Sequence, residues 1–407
     1  MNLDLIEKSF RDVTFLKEKL SDKEILEIQT EYDIYKLPLL EKEEVVEDSL
    51  ILMPSYYLPL LMHEKLIRND TSGSTGKYLN IYWRRQDYIR SMYSLWFYRK
   101  YFYGIYTWDK MCQFFSIFQT GFEDKLSRKI GNRLEFSKSN LTDERLLDIY
   151  HEMQEFQPKW LLLQPCIAEL LCYIKNKYNL NTINSIEYIE MTGEELTIEL
   201  RNRILDNFKC FVANQYGANE VNSIAFECPN GKMHCMEDNV FVEVLDDDGN
   251  PVEDGNIGNI YVTTAHNYAM PFIRYGIGDI GSLEPNNCSC GHKGKILQLK
   301  SGRKDDWIKT REGKKINPYV FIRAVVAVNA AFDGCIYQFQ VIQETYDQFT
   351  VILAVDDELE GISQFFIDNI GDDKLKTAEY QFVFLEKMFP EINGKRKFFK
   401  CMIEKGG

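Results

Sequence analysis

Residues 71–77 form a short polar segment whose residue types suit the binding of phosphate. Glycines lack a Cβ, so backbone N–H groups can approach phosphate oxygens closely, and hydroxyl groups and a lysine supply further donors. Only two residues separate the two glycines, whereas a Walker loop has four, so the segment is not a Walker loop. We predict a phosphate-binding loop made of Thr71, Ser72, Gly73, Ser74, Thr75, Gly76 and Lys77.

Residues 276–281 match the dinucleotide-binding pattern G-x-G-x-x-G in residue identity, but not in the sequence that follows it. That pattern functions where a helix begins at the third glycine, so that the helix N-terminus faces the pyrophosphate. Here the sequence continues Ser-Leu-Glu-Pro-Asn-Asn, which is not the start of a helix. A dinucleotide site is therefore rejected. The absence of G-x-S-x-G and H-E-x-x-H also disfavours serine hydrolases and zinc proteases.

The pattern of apolar residues predicts the elements that position these motifs. After residue 141, helices and apolar strands alternate in the order 142–156, 160–164, 167–176, 185–191, 195–207 and 210–215. This alternation is typical of βαβ units with a parallel sheet. Between residues 234 and 273, short strands are separated by Asp-Gly and Asn-Pro turns, which indicates antiparallel pairing.

The fold class predicted from these patterns is α/β, with two lobes. The large N-terminal lobe, 1–302, combines βαβ sub-domains with an antiparallel β sub-domain. The small C-terminal lobe, 303–407, alternates strands and helices and is α+β. The aromatic-rich segment 91–118 is interpreted either as a packed helix and buried strand or as a wall of a substrate pocket, and the sequence leaves both open.

Composition narrows the classes of partner. The formal net charge is −14, so no basic field attracts nucleic acid or an anionic membrane, and neither is expected as a partner. The 26 Phe, 24 Tyr and 5 Trp residues exclude global disorder. The N-terminal segment has no apolar run typical of a secretion signal, and the ten cysteines are scattered, so we expect reduced thiols and a cytoplasmic location.

The order of motifs along the chain resembles the adenylate-forming superfamily, whose acyl-CoA synthetases activate carboxylates with ATP. The motifs after residue 77 are Gly193-Glu194, Tyr216-Gly217-Ala218-Asn219-Glu220, Arg274-Tyr275, Gly278-Asp279, Gly302-Arg303 and Gly394-Lys395. The surrounding segments AMPFIRYGIGD and GRKDDWIK look most like the phenylacetate–CoA ligase and capsular-type branch. The resemblance covers about residues 69–400.

The resemblance implies nucleotide-binding roles for the residues that match the motifs. The loop at 71–77 would grip the β- and γ-phosphates of ATP. Gly193 and Glu194 would lie against the adenine, although this chain has Gly-Glu-Glu where the family more often has Gly-Ala-Glu. Tyr216 and Gly217 would border the nucleotide and the acyl pocket.

The resemblance also implies roles in catalysis and in lobe movement. Glu220 would hold Mg²⁺ on the phosphates. Asp279 would bind both ribose hydroxyls with its two oxygens, and Arg303 would reach the same ribose. Asp305 would be the hinge of a mobile C-terminal lobe. Lys395 would bridge the substrate carboxylate and the α-phosphate, because adenylation brings an anion towards a polyanion and needs charge neutralisation.

Besides the nucleotide site, the resemblance implies a structural zinc site. Cys288-x-Cys290 resembles half a zinc knuckle, although its spacing is tighter than usual. In related ligases with such a segment, an upstream cysteine and histidine resemble Cys228 and His234. We therefore predict a four-ligand Zn²⁺ site of Cys228, His234, Cys288 and Cys290, with Cys235 as the substitute if His234 points away. The alternative is a set of buried cysteines without metal.

The predicted activity is ATP- and Mg²⁺-dependent formation of an acyl-adenylate with release of pyrophosphate, followed by acyl transfer to CoA. An aryl or arylacetic acid is favoured as the carboxylic acid substrate. An alternative is transfer to an amine or to a carrier-protein thiol, and a further alternative is a nucleotide-binding module without turnover. A homodimer is compatible with the sequence.

Overall fold

A computed structural model describes residues 2–70, 79–115, 127–138, 141–303, 307–316, 318–332, 335–355, 360–389 and 397–403. The chain divides into two compact units, each built from two separate stretches of sequence. Unit 1 comprises residues 1–107 and 213–300, and unit 2 comprises residues 108–212 and 301–407. The division into lobes 1–302 and 303–407 stays a prediction.

Unit 1 is built on antiparallel strands, as the turn signals predict. In spatial order its described strands are Val240–Leu245, Gly258–Thr264, Tyr275–Glu284, Ile296–Arg303, Met233–Cys235, Asn222–Glu227 and Phe211–Ala218. A separate antiparallel ribbon pairs Ile67–Asp70 with Asn80–Trp83. Residues 276–281 lie inside a strand, so the rejection of a dinucleotide-binding turn is confirmed.

Short helices in the first hundred residues pack against these strands. The α-helices are Leu3–Asp12, Thr14–Lys17, Asp22–Leu26, Lys42–Val45, Leu58–Met62, Arg85–Ser91 and Tyr93–Tyr103, and the 3-10 helices are Glu31–Lys36, Ser49–Leu52 and Ser55–Tyr57. In the first helix, Leu5, Ile6 and Phe10 share the buried face, at the three- and four-residue spacing of an amphipathic helix. Their burial joins the N-terminal helix to the core of unit 1.

The first part of unit 2 is the predicted βαβ region. Its strands, in spatial order, are Tyr188–Thr192, Trp160–Leu163, Met111–Phe115, Arg133–Ser137 and Ser127–Ile130. The first four are parallel, and the last is antiparallel to its neighbour. The crossover helices are Asp143–Phe156, Pro165–Lys177 and Ile198–Phe208. The predicted elements are thus confirmed, with their ends shifted by up to three residues.

The second part of unit 2 is α+β, also as predicted. Its sheet has the order Glu379–Leu385, Gln348–Val355, Ile336–Thr345 and Phe399–Cys401, with an antiparallel central pair and parallel outer strands. The remaining elements are a ribbon of Ile308–Lys309 with Lys315–Ile316 and the helices Tyr319–Ala331, Ile362–Asp368 and Asp373–Lys376. Among the described helices, none combines the length and apolarity needed to cross a bilayer.

A buried ion pair fixes the start of the strand Tyr275–Glu284. Arg274 has a φ of 46°, a left-handed conformation that is uncommon outside glycine. Its guanidinium binds Glu243 at 2.9 Å (Nη2 to Oε1) and donates to the carbonyl oxygen of Leu37 at 2.6 Å. The side chains of the pair are only 4% and 1% exposed. The ion pair therefore holds an unfavourable backbone conformation directly before Tyr275.

Replacing Glu243 with glutamine is expected to destabilise the protein by about 3–5 kcal/mol, because Arg274 would remain buried without its counter-charge. The measurement is chemical denaturation of the wild type and the variant. The matched control is Asp254→Ala, which breaks the 3.0 Å pair with Lys295, whose side chains are 48% and 42% exposed. That change should cost less than about 1 kcal/mol. Equal losses in the two variants would contradict this account.

Candidate functional site

The predicted magnesium ligand Glu220 and the predicted ribose ligand Asp279 are held in unit 1 by two tyrosine hydroxyls. Tyr216 Oη donates to Asp279 Oδ2 at 2.7 Å, and Tyr275 Oη donates to Glu220 Oε1 at 3.2 Å. Glu220 and Tyr275 are buried, at 5% and 1% exposed, whereas Tyr216 and Asp279 are half-buried. The two hydrogen bonds therefore involve three predicted nucleotide-site residues and Tyr275, which had no predicted role.

The backbone around Gly217 explains why this position is glycine. The strand Phe211–Ala218 pairs with Asn222–Glu227, and the register shifts between Tyr216 and Gly217. A Cβ at Gly217 would lie 2.4 Å from the carbonyl oxygen of Asn222, closer than any side chain tolerates. Gly217 thus permits the close backbone approach that turns the chain towards Glu220.

The turn that carries Glu220 is anchored on both sides by side-chain donors that the sequence analysis did not single out. Asn239, which is buried, donates from Nδ2 to the carbonyl oxygen of Val221 at 2.8 Å. Trp83 donates from Nε1 to the carbonyl oxygen of Asn219 at 3.3 Å. Neither contact has a signal in the sequence, because 18 and 136 residues separate the partners.

In unit 2, the predicted adenine-contacting pair Gly193-Glu194 directly follows the strand Tyr188–Thr192. Gly193 has a φ of 85°, a left-handed conformation that glycine adopts freely. The carboxylate of Glu194 accepts hydrogen bonds from the backbone N–H and the Sγ of Cys166, each at 3.1 Å. Cys166 lies in the first turn of the helix Pro165–Lys177, where a carboxylate is favoured electrostatically. Glu194 therefore anchors its loop to a helix N-terminus.

Four predicted metal ligands converge in unit 1. Cys228, His234, Cys288 and Cys290 place their ligand atoms within 4.8 Å of one another. The Sγ atoms of Cys228 and Cys288 are 3.7 Å apart, and Cys290 Sγ lies 3.3 Å from His234 Nε2. Ligands around a tetrahedral Zn²⁺ are separated by about 3.5–3.8 Å, given Zn–S and Zn–N bonds of about 2.3 and 2.0 Å. The donor set and its spacing fit a zinc ion.

Strand geometry decides between His234 and Cys235. Adjacent residues in the strand Met233–Cys235 point to opposite faces, and Cys235 packs into the hydrophobic core of unit 1. His234 faces the cluster, and its Nδ1 lies 3.1 Å from the carbonyl oxygen of Gly294. Because that oxygen only accepts, Nδ1 carries the hydrogen and Nε2 presents its lone pair. The condition for Cys235 as a substitute ligand is not met.

The cluster thiols differ in how readily they ionise. Burial raises the pKa of Cys228 to about 12. Burial also opposes ionisation of Cys288, but hydrogen bonds from the Asn230 side chain and the Cys290 backbone outweigh it and lower the pKa of Cys288 to about 6. A bound cation would favour ionisation of the cluster thiols, Cys228 included.

Several predicted site residues lie outside the part of the chain that the structure describes. They are the phosphate loop Thr71, Ser72, Gly73, Ser74, Thr75, Gly76 and Lys77, the hinge Asp305 and the catalytic Lys395. Arg303 ends the strand Ile296–Arg303.

Two sequence comparisons identify relatives of parts of the chain. Residues 308–401 match the CapK C-terminal domain family. Phenylacetate-coenzyme A ligase of Thermus thermophilus is 28% identical over 196 residues, which cover 47% of this chain and 43% of that relative. The chain therefore matches less than half of the length of this curated relative.

Solved structures establish the fold over nearly the whole chain. The 2-hydroxyisobutyryl-CoA ligase in its postadenylation state superposes with a TM-score of 0.73 at 16% identity, covering 98% of this chain and 88% of that one. A benzoate CoA ligase from Burkholderia xenovorans gives a TM-score of 0.54 at 14% identity, covering 78% and 65%. The predicted fold class is confirmed: the chain has the fold of these CoA ligases, in line with the predicted resemblance.

Proposed function

We propose that the protein activates a carboxylic acid with ATP, forming an acyl-adenylate and pyrophosphate, and then transfers the acyl group to CoA. The observation that carries this proposal is a pair of hydrogen bonds between the two motifs, from Tyr216 to Asp279 and from Tyr275 to Glu220. These residues come from two motifs that are separated by some sixty residues in sequence. The CoA ligases among the relatives support the same activity.

In this proposal each described residue has a limited task. Asp279 accepts hydrogen bonds from the two ribose hydroxyls, and Tyr216 orients it. Glu220 holds Mg²⁺, which supplies charge neutralisation on the phosphates when bound. Glu194 keeps the adenine-contacting loop on its helix. Lys395 would approach from the C-terminal lobe and neutralise the charge that builds up between the carboxylate and the α-phosphate.

The substrate and acceptor are the finer part of the proposal. The names of two relatives indicate phenylacetate and benzoate, which supports an aryl or arylacetic acid. A third relative by name acts on 2-hydroxyisobutyrate, an aliphatic acid, so a panel of acids must contain both kinds. The alternative acceptors are an amine and a carrier-protein thiol.

The test is carboxylate-dependent ATP–pyrophosphate exchange across aromatic and aliphatic acids, followed by assay of thiol loss with CoA. Exchange with at least one acid, and consumption of the CoA thiol only in its presence, would support the proposal. Exchange without CoA consumption, but with product formed from a primary amine or a carrier protein, would support the alternative acceptors. Silence with every acid, combined with ATP binding, would favour the module without turnover.

We propose further that Cys228, His234, Cys288 and Cys290 hold a structural Zn²⁺. Four protein ligands leave no open position, so the ion would cross-link two chain segments and take no part in the chemistry. The carbonyl oxygen of Gly294 would fix the orientation of the His234 ring. Mg²⁺ at Glu220, a cytoplasmic location and a homodimer complete the proposal.

A further inference from the structure

The two motifs that carry Glu220 and Asp279 share one sequence pattern. Residues 216–220 read Tyr-Gly-Ala-Asn-Glu, and residues 275–279 read Tyr-Gly-Ile-Gly-Asp, so both fit Tyr-Gly-x-x-acid. In the structure, the tyrosine of each motif donates its hydrogen bond to the acid of the other motif and not to its own. Tyr216 of the first motif donates to the acid of the second, and Tyr275 of the second donates to the acid of the first. Each motif therefore orients the functional carboxylate of the other.

We propose that Tyr216 and Tyr275 are positioning residues that set the two carboxylates of the nucleotide site as one unit. The inference rests on the proposed function, since it takes Asp279 as the ribose ligand and Glu220 as the magnesium ligand. A hydroxyl that donates to a carboxylate forms a charge-assisted bond, stronger and more directional than one between neutral groups. The reciprocal pair thus fixes the ribose site and the metal site relative to each other.

Burial makes the Tyr275–Glu220 contact the more constrained of the two. Glu220 sits on a turn held by Asn239 and Trp83, and Tyr275 follows the left-handed residue Arg274, which the buried ion pair anchors. Neither partner can shift without breaking one of these anchors. Tyr216 and Asp279 are half-buried, so their hydrogen bond is the more accessible of the two.

The experiment measures equilibrium binding of AMP and of ATP at varied Mg²⁺, together with ATP–pyrophosphate exchange, in the wild type and two phenylalanine variants. Tyr216→Phe should weaken binding of both nucleotides about three- to tenfold, because both carry the ribose that Asp279 contacts. Tyr275→Phe should weaken AMP binding less than Tyr216→Phe does and raise the Mg²⁺ concentration for half-maximal ATP binding about three- to tenfold. In the double variant the losses should be less than multiplicative, because each bond helps to hold both motifs.

The matched control is Tyr261→Phe. Tyr261 is buried in the neighbouring strand Gly258–Thr264, beside Gly276, and donates to Glu41 at 2.6 Å, so the variant removes the same kind of bond without touching Glu220 or Asp279. Its nucleotide binding should equal that of the wild type.

Two outcomes separate the inference from the proposed function. If the wild type binds nucleotide but exchanges no pyrophosphate, the activity is wrong, and the binding constants of the variants still decide the inference. If Tyr216→Phe and Tyr275→Phe bind AMP and Mg²⁺-ATP as Tyr261→Phe does, the inference is overturned. A wild type that binds neither nucleotide would overturn both.

Discussion

Replacing Lys395 with alanine is expected to lower acid-dependent ATP–pyrophosphate exchange by about 10²–10³-fold, while ATP binding is retained. Adenylation brings a carboxylate against the α-phosphate, and a single placed cation that neutralises the developing charge contributes a factor of about this size. Binding should survive, because in the proposed site Asp279, Glu220 and residues 71–77 would contact other parts of the nucleotide. The effect should therefore fall on kcat with little change in the KM for ATP.

The second half-reaction gives Lys395→Ala a sharper signature. Acyl transfer from a supplied acyl-adenylate to CoA does not need the lysine that formed the adenylate, so this step should proceed at about the wild-type rate. Lys400→Ala, in the strand Phe399–Cys401, is the matched control and removes a positive charge that lies five residues further along the sequence. Unchanged exchange in Lys395→Ala, or an equal loss in Lys400→Ala, would remove Lys395 from its proposed role.

Replacing Cys288 with serine is expected to lower the zinc content from near one ion per chain to below about 0.3 and to lower the Tm by roughly 10 °C or more. The two halves of the cluster are sixty residues apart, and a bound ion would join them through four bonds. Without the ion, the remaining ligand side chains are held only by weak contacts to one another and to neighbours such as the carbonyl oxygen of Gly294. The measurements are metal analysis of protein purified without chelator and thermal unfolding with and without chelator.

Cys235→Ala is the matched control for the zinc site. Cys235 is adjacent to His234 in sequence but packs into the hydrophobic core, so its removal should leave the zinc content near one while costing some core packing. His234→Ala should behave like Cys288→Ser. Zinc retained in His234→Ala and lost in Cys235→Ala would reverse the assignment. Wild-type protein with less than about 0.3 zinc per chain would end the proposal, since a structural site should be nearly full.

The sequence by itself determined the elements, the family resemblance and the rejection of the false motifs. The helices Asp143–Phe156 and Ile198–Phe208 follow from apolar periodicity and from the capping residues Thr142 and Thr197, which act within four residues of chain. The segment 276–281 could be rejected as a dinucleotide site because a helix start also depends on adjacent residues. Such local interactions join residues that are close along the chain, and so the sequence alone predicts them.

The tertiary structure alone decided which distant residues meet. It set His234 rather than Cys235 towards the cysteines, because strand pairing fixes which face of Met233–Cys235 is buried. Above all, it placed the tyrosine of each Tyr-Gly-x-x-acid motif against the acid of the other motif. Sequence shows that Tyr216 and Tyr275 each precede an acid by four residues, but register and backbone anchors determine which acid each hydroxyl reaches.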